Sequence, residues 1–206
     1  MTREPTNATE AIFFDLDGTL LSLTREYGEL LAETFTAVVG DVQEEWTEQY
    51  TDTFYELFGA CEPDPVERAF ASIDACSAPS LLAEELHDRE VAACRPPDGV
   101  YEDLERLAEG HALGVLTNGL PGWQRRKLRE HELEQYFDVV VTTYEVGAHK
   151  PAPAPYRACE ARLPASAYGM VGDAATDIEG AENAGWAGYR YAGGGFSEIP
   201  AAFEWE

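Results

Sequence analysis

The chain has 206 residues, of which 45% are hydrophobic and 11% aromatic, so it can bury a core and wholesale disorder is excluded. Its 39 acidic residues outnumber its 14 basic residues, which gives a formal net charge of −25. A surface this negative, with no basic stripe, repels nucleic acid polymers and anionic membranes, and we expect neither as a partner.

The acidic residues are spread along the whole chain and are not gathered in a tail. Like charges in this number oppose a compact state unless salt screens them, and the Debye length falls to ~3 Å at 1 M salt. Lysine occurs only at Lys127 and Lys150, and the other basic residues are arginines. These features predict a protein of a salt-loving host, with a halophilic archaeon as the expected source. An acidic protein from a mesophile is the alternative.

The spacing of apolar residues differs between two parts of the chain. Residues 11–14 form a short apolar run that stops at Asp15 and Gly18, which predicts a buried strand with a turn at its carboxyl end. Residues 23–95 instead repeat apolar side chains at helical spacing, with breaks at glycines and prolines. The four helices predicted there cover residues 24–39, 43–58, 64–76 and 80–94.

After a Pro- and Gly-containing linker at 96–99, strand patterns alternate with helix patterns. The predicted helices are 99–109, 121–132, 152–162 and 176–184, and the predicted strands are 112–117, 138–142, 168–172 and about 187–191. Such alternation indicates right-handed βαβ units and a parallel sheet. We therefore expect an α/β fold: a doubly wound, Rossmann-like parallel sheet built from residues 1–21 and 97–206, with a four-helix domain inserted at 22–96.

Polar residues follow the predicted strands at their carboxyl ends, where open α/β sheets bind ligands. These residues are Asp15 and Asp17 after the first strand, Thr117, Asn118 and Gly119 after the second, Lys150 beyond the third, and Asp173 and Asp177 after the fourth. Carboxylates this close cannot all ionise without a cation among them, and oxygen-only ligands suit Mg²⁺. A carboxylate can also act as a nucleophile or as a general acid and base, and a lysine with free amides can hold phosphate.

These segments, in this order, resemble the four motifs of the haloacid dehalogenase (HAD) superfamily. FFDLDGTLL resembles the first motif, LTNG the second, Lys150-Pro151 the third and GDAATD the fourth. The predicted helices between the first two motifs resemble the helical cap of this family, so the resemblance covers nearly the whole chain. Four such motifs in order on strand ends are much more specific than any one of them.

The resemblance implies a role for each matched residue. Asp15 would be the nucleophile and a Mg²⁺ ligand, and Asp17 would be the general acid and base and would offer its backbone carbonyl to the metal. Asp173 would bind Mg²⁺ directly. The remaining roles concern the phosphoryl group and its support: Thr117 with the Asn118 amide would bind it, Lys150 would neutralise it, Thr19 and Gly119 would support the loops, and Asp177 would act through water or by orienting Lys150.

Read from the residues alone, Thr117 and Asn118 could cap a helix, and Asp177 could be an ordinary acid of a first helical turn. With the resemblance, we expect a Mg²⁺-dependent phosphatase that hydrolyses small phosphorylated metabolites through an aspartyl-phosphate, similar to nucleotidases or phosphoglycolate phosphatases. The alternatives are a 2-haloacid dehalogenase, against which Asp17 argues, a sugar-phosphate mutase, and a non-catalytic protein that binds phosphorylated ligands.

The cysteines and the N-terminus predict where the protein works. The four cysteines are far apart, which favours reduced thiols over metal ligands or disulfides: Cys61, Cys76, Cys94 and Cys159. Residues 1–14 contain no apolar stretch long enough for a signal peptide or a membrane span. We therefore expect a cytoplasmic protein.

Overall fold

The computed structural model describes residues 10–203 and residue 205. The expected lack of a signal peptide rests mainly on residues 1–9, which lie outside the described residues. The described chain divides into two compact units: a helical unit, Leu23–Cys94, and a second unit made of the segments before and after it. All four cysteines are free thiols.

Seven strands are present in the described chain: β1 (Glu10–Phe14), β2 (Ser22–Leu23), β3 (Cys94–Arg95), β4 (Ala112–Thr117), β5 (Val139–Thr142), β6 (Ala167–Gly172) and β7 (Ala187–Arg190). Five of them form one sheet in the order β5-β4-β1-β6-β7, and every neighbouring pair is parallel. The short strands β2 and β3 pair with each other where the chain passes between the units. The predicted α/β fold with a parallel sheet is confirmed.

The helices of the described chain are α1 (Tyr27–Val39), α2 (Glu44–Gly59), α3 (Pro65–Ala71), α4 (Pro79–Ala93), α5 (Val100–Ala108), α6 (Pro121–Glu130), α7 (Thr143–Val146), α8 (Pro153–Arg162) and α9 (Ala175–Asn183). A 3₁₀ turn lies at Glu134–Tyr136. The described helices include none with both the length and the apolar character that a membrane crossing requires.

The central strand β1 is buried on both faces. Its residues 11–14 are fully buried, which is typical of a parallel strand covered by helices on each side. On one face, Phe13 packs against the rings of Trp186 and Tyr168. On the other, Phe14 contacts Phe196 at 5.1 Å between ring centroids. These aromatic contacts anchor β1, so the loop that follows it starts from a rigid position.

The helical unit has its own core, in which aromatic rings join three helices. Phe35 of α1 and Tyr50 of α2 both pack against Phe70 of α3, with ring centroids 5.5 and 4.4 Å apart. All three rings are fully buried. The three helices therefore share one buried cluster of aromatic side chains.

Two predicted helix boundaries in this unit are wrong. The first helix begins at Tyr27 and not at residue 24, because Thr24 donates hydrogen bonds to Ala93 O from both its backbone N–H and its hydroxyl. The third helix ends at Ala71 and not at residue 76. The Ser72 hydroxyl donates to Ala69 O at 2.8 Å, and such side-chain bonds compete with the helical backbone pattern.

Candidate active site

The candidate site begins at Asp15, the first residue after β1. Its N–H donates to Val171 O at 2.8 Å, which continues the pairing with β6, and its side chain is 8% exposed. The next residues turn tightly. Gly18 has a φ of +93°, and a Cβ at this position would lie 2.5 Å from Asp173 Oδ2. Glycine at 18 therefore allows both the turn and the close approach of the Asp173 carboxylate.

Lys150 lies between two buried carboxylates. Its Nζ is 2.7 Å from Asp15 Oδ1 and 2.6 Å from Asp177 Oδ1, and it donates a further bond to Leu116 O at 3.0 Å. The Lys150 N–H donates to Asn118 Oδ1 at 3.0 Å, so the Asn118 side chain holds the lysine loop. The amino group thus links segments that are distant in sequence.

Asp177 lies in the first turn of α9 and also contacts Lys150, so both roles considered for it from the sequence are present. Its Oδ2 accepts a hydrogen bond from the Ala174 N–H at 2.9 Å, as an acid in the first turn of a helix does, while its Oδ1 faces Lys150. Its side chain is fully buried. Gly172 makes room for it, because a Cβ at 172 would overlap the Asp177 carboxylate.

The buried charges do not balance. Burial raises the pKa of Asp15 to about 7; Lys150 opposes this shift, and the charges of Asp177 and Asp17 add to it. Burial alone would lower the pKa of Lys150, but the charges of Asp15 and Asp177 outweigh it and raise that pKa. When both carboxylates are ionised, the single ammonium leaves an excess of negative charge, which either the proton that Asp15 retains below about pH 7 or a further cation would offset.

Three carboxylates converge where such a cation would bind. Oxygen atoms of Asp15, Asp173 and Asp177 all lie within 4.8 Å of one another. The Thr19 hydroxyl donates to Asp173 Oδ1 at 3.2 Å and orients that carboxylate. An oxygen-only donor set with excess negative charge fits a hard divalent cation. The predicted metal ligands were Asp15, the Asp17 carbonyl and Asp173, and that ligand set stays a prediction. The third carboxylate of the observed cluster belongs to Asp177.

The Asp17 side chain is bound by two residues that the sequence analysis missed. Lys127 Nζ lies 2.8 Å from Asp17 Oδ1, and Gln124 Nε2 donates to Asp17 Oδ2 at 2.6 Å. Gln124 Nε2 also lies 2.7 Å from Thr117 Oγ1. One signal could have found Lys127. The chain has only two lysines, and the structure brings both to carboxylates of this site.

Gly119 has a specific steric role beside this pair. A Cβ at 119 would lie 2.6 Å from Cδ and Nε2 of Gln124, closer than real Cβ contacts allow. The glycine therefore leaves the space in which the Gln124 amide reaches both Thr117 and Asp17.

A cavity of about 190 Å³ brings together seven of the nine predicted site residues, and its lining, as far as the described residues show it, does not include Thr19 or Gly119. It is lined by Asp15, Asp17, Thr117, Asn118, Lys150, Asp173, Ala174, Thr176 and Asp177. It is smaller than the roughly 300–1,000 Å³ that encloses a drug-sized ligand, and eight of its nine lining residues carry polar side chains, so it suits a phosphoryl-sized group with a few waters.

The chain is similar in sequence to curated proteins that are named as phosphatases. The chain is 29% identical over 203 residues to glyceraldehyde 3-phosphate phosphatase of Methanopyrus kandleri. The aligned region covers 92% of this chain and 87% of the relative. This chain is 30% identical over 184 residues to pyrophosphatase PpaX of Bacillus mycoides, with 84% and 79% covered.

A solved structure with a different named activity has a similar fold. The 2-haloacid dehalogenase of Pseudomonas syringae pv. Tomato superposes with a TM-score of 0.69 at 25% identity, over 88% of this chain and 86% of the other. The model of the haloacid dehalogenase-like hydrolase family matches residues 9–185, a span that contains every residue of the cavity. The chain belongs to the haloacid dehalogenase-like hydrolases.

Proposed function

We propose that this hydrolase is a phosphatase that cleaves small phosphate monoesters through a phosphorylated Asp15. The observation that carries the proposal is the surroundings of the Asp15 carboxylate: it is buried at the end of the central strand, 2.7 Å from the Lys150 ammonium, with Asp17 two residues further on. A nucleophile, a fixed positive charge and a second carboxyl are what phosphoryl transfer to and from an aspartate requires.

The reaction would take two steps. In the first, an Asp15 oxygen bonds to phosphorus, the bond from phosphorus to the ester oxygen breaks, and Asp17 gives its proton to the departing alcohol. In the second, a water oxygen bonds to phosphorus, Asp17 takes the proton of that water, and the bond to Asp15 breaks to release inorganic phosphate. Asp17 ends protonated, as it began.

The other residues would bind the phosphoryl group. Lys150 offers a point charge to its oxygens, and the Thr117 hydroxyl and the Asn118 amide line the same cavity. Asp15, Asp173 and the Asp17 carbonyl would hold Mg²⁺, with Asp177 as a further carboxylate beside it. When bound, Mg²⁺ would neutralise charge on the phosphoryl oxygens. We propose that residues 22–96 form the cap domain and that residues 1–21 with 97–206 form the catalytic core.

Two rival activities share parts of this site. A dehalogenase would use Asp15 to displace halide and would need neither Mg²⁺ nor Asp17. A sugar-phosphate mutase would use the same residues but return the phosphoryl group to a sugar, so it would release no inorganic phosphate. The Asp17 carboxyl at the cavity, and the phosphatase names of the curated relatives, favour hydrolysis of phosphate esters.

A release assay tests the proposal. The purified chain in concentrated KCl with Mg²⁺ should liberate inorganic phosphate from a panel that contains p-nitrophenyl phosphate, glyceraldehyde 3-phosphate, phosphoglycolate, a nucleoside monophosphate and pyrophosphate. EDTA or Asp15→Asn should abolish the release. Halide release from 2-chloropropionate that survives EDTA, with no phosphate release from any ester, would replace the proposal with a dehalogenase.

A further inference from the structure

The Asp17 carboxylate is held by both of its oxygens from a single helix. Lys127 and Gln124 are three residues apart on α6, so their side chains leave the helix on the same face. Lys127 reaches Oδ1 at 2.8 Å and Gln124 reaches Oδ2 at 2.6 Å. Both partners are buried, whereas the side chain of Asp17 is 46% exposed. The two helical side chains are therefore the rigid part of the arrangement.

We propose that Lys127 and Gln124 are positioning residues for the acid and base Asp17, and that Gln124 also sets the proton direction of Thr117. The inference rests on the phosphatase activity proposed above. It assigns to α6 a role that lies outside the four motifs. Side chains of this helix would hold the Asp17 carboxyl, which transfers the proton, at a fixed distance from the Thr117 hydroxyl, which binds the phosphoryl group.

Restraint matters most for a carboxyl that is half exposed. Left alone, such a side chain samples several rotamers, and only some of them direct an oxygen towards the leaving group. Proton transfer needs a donor and an acceptor within hydrogen-bond reach. Each carboxylate oxygen has two lone pairs, so the bonds from Lys127 and Gln124 leave one lone pair on each oxygen of Asp17 for the transferred proton.

The bond to Thr117 has a further consequence. Gln124 Nε2 is a donor only, so Thr117 Oγ1 is the acceptor in their 2.7 Å contact. The hydroxyl proton of Thr117 is thereby free to be donated elsewhere. The Thr117 side chain lines the cavity, where a phosphoryl oxygen would accept that proton.

A direct phosphate contact is a different role that Lys127 could have. Among the described residues, those that line the cavity include Lys150 but not Lys127. The Lys127 ammonium meets the site through the Asp17 carboxylate. If Lys127 acts through Asp17, removal of the Lys127 ammonium should affect only the steps in which Asp17 moves a proton.

The test compares two leaving groups in Lys127→Met and Gln124→Met. Nitrophenolate leaves without protonation, whereas an alkoxide needs a proton from Asp17. The second step uses Asp17 with either ester, so the comparison is made in a single turnover, which isolates the first step. Within the ~10²–10⁴-fold that acid–base assistance contributes, we expect each variant to lower the single-turnover rate of alcohol release from an alkyl phosphate by ~10–100-fold and that of nitrophenolate release from p-nitrophenyl phosphate by less than ~3-fold. Arg129→Met removes the same charge from the exposed face of α6 and should change neither rate.

A double-mutant comparison separates positioning from a structural effect. With Asp17→Asn already present, adding Lys127→Met should lower alkyl-phosphate turnover by less than ~3-fold, because residues that act through one another are not additive. Both variants should fold, since methionine is about as long as the side chains it replaces and Asp17 stays open to water. Circular dichroism and a thermal melt check this, and Lys127→Arg should restore part of the alkyl-phosphate rate.

Each outcome decides the inference. Equal losses with both leaving groups, or a full further loss when Lys127→Met is added to Asp17→Asn, would overturn the positioning role and leave the phosphatase intact. Failure of both methionine variants to fold would likewise overturn it in favour of a structural role. A wild-type protein without turnover of any phosphate ester would overturn the proposed function, and this inference with it.

Discussion

Lys150 Nζ lies 2.7 Å from Asp15 Oδ1, and both groups are almost completely buried. The pair joins the end of β1 to a loop 135 residues away, and Asp177 shares the same ammonium. The buried Lys150 ammonium therefore contacts two carboxylates, and both the stability of the fold and the proposed reaction depend on these three groups. The first two predictions follow from it.

The pKa of Asp15 ties the stability of the metal-free protein to pH. Its carboxyl titrates near 3.8 in the unfolded chain and about 7 in the fold, so the folded protein binds the extra proton between these values. Stability contributed by this group should fall as pH rises from about 4 to about 7 and stay low above that. In EDTA at constant salt, Asp15→Asn should melt a few degrees above wild type at pH 8 and together with it near pH 4. An equal difference in melting temperature between the two proteins at pH 4 and pH 8 would contradict the raised pKa of Asp15.

Removal of Lys150 should destabilise the fold strongly. Lys150→Met leaves Asp15 and Asp177 buried without their ammonium, and breaking a buried pair in this way costs about 3–5 kcal/mol. At ~2–4 °C per kcal/mol for a chain of this size, the melting temperature at pH 8 without metal should fall by about 6–20 °C. Lys127→Met is the matched control, because its partner Asp17 remains open to water, and it should lower the melting temperature much less. Equal losses for the two lysines would show that burial of the partners does not set the cost.

Gly119 offers a steric test of the contact between Gln124 and Asp17. A methyl group at 119 would meet the Gln124 amide at 2.6 Å, so Gly119→Ala should push Gln124 away from Thr117 and Asp17. We expect alkyl-phosphate turnover to fall at least ~10-fold, as expected when acid–base assistance is impaired. Gly122→Ala, three residues on, meets no atom within 4 Å and should leave turnover unchanged. Full activity in Gly119→Ala would mean that Gln124 has another position available.

The net charge of −25 predicts a dependence on salt. Lowering salt from 1 M to 0.1 M lengthens the Debye length from ~3 Å to ~10 Å, so repulsion among the surface carboxylates should reach further. Thermal melts between 0.1 and 3 M KCl should show a rising midpoint. A flat curve would contradict the expectation of a salt-loving source, and the phosphatase proposal would not depend on it.

The sheet could be predicted closely from sequence, because its strands are short apolar runs between clear turn signals. The predicted strand 112–117 matches β4 at both ends, and β6 begins one residue before the predicted 168–172. The helical unit was less predictable. The start of α1 depends on Thr24 bonding to a residue 69 positions away, and no local pattern contains that information. The pairing of β2 with β3 is equally long-range, and neither strand exceeds two residues.

The site was predictable where each residue directly follows a strand, and less so elsewhere. Asp15, Thr117 and Asp173 come straight after β1, at the end of β4 and after β6, so the parallel sheet alone brings them to one edge. Gln124 and Lys127 lie within a helix, where a buried polar side chain looks like any other until its partner is known. Their partner is 107 and 110 residues away.

The central claim is that Asp15 carries the phosphoryl group, and chemical trapping tests it most directly. In Asp17→Asn the second step lacks its base, so phosphorylated Asp15 should accumulate after a burst of nitrophenolate from p-nitrophenyl phosphate. Borohydride reduces an aspartyl-phosphate to homoserine. Mass spectrometry of the peptides should then find homoserine at position 15 in proportion to the burst, and only when the ester is present. A burst of the same size with Asp15 recovered unchanged, or with the reduced residue elsewhere, would contradict the account.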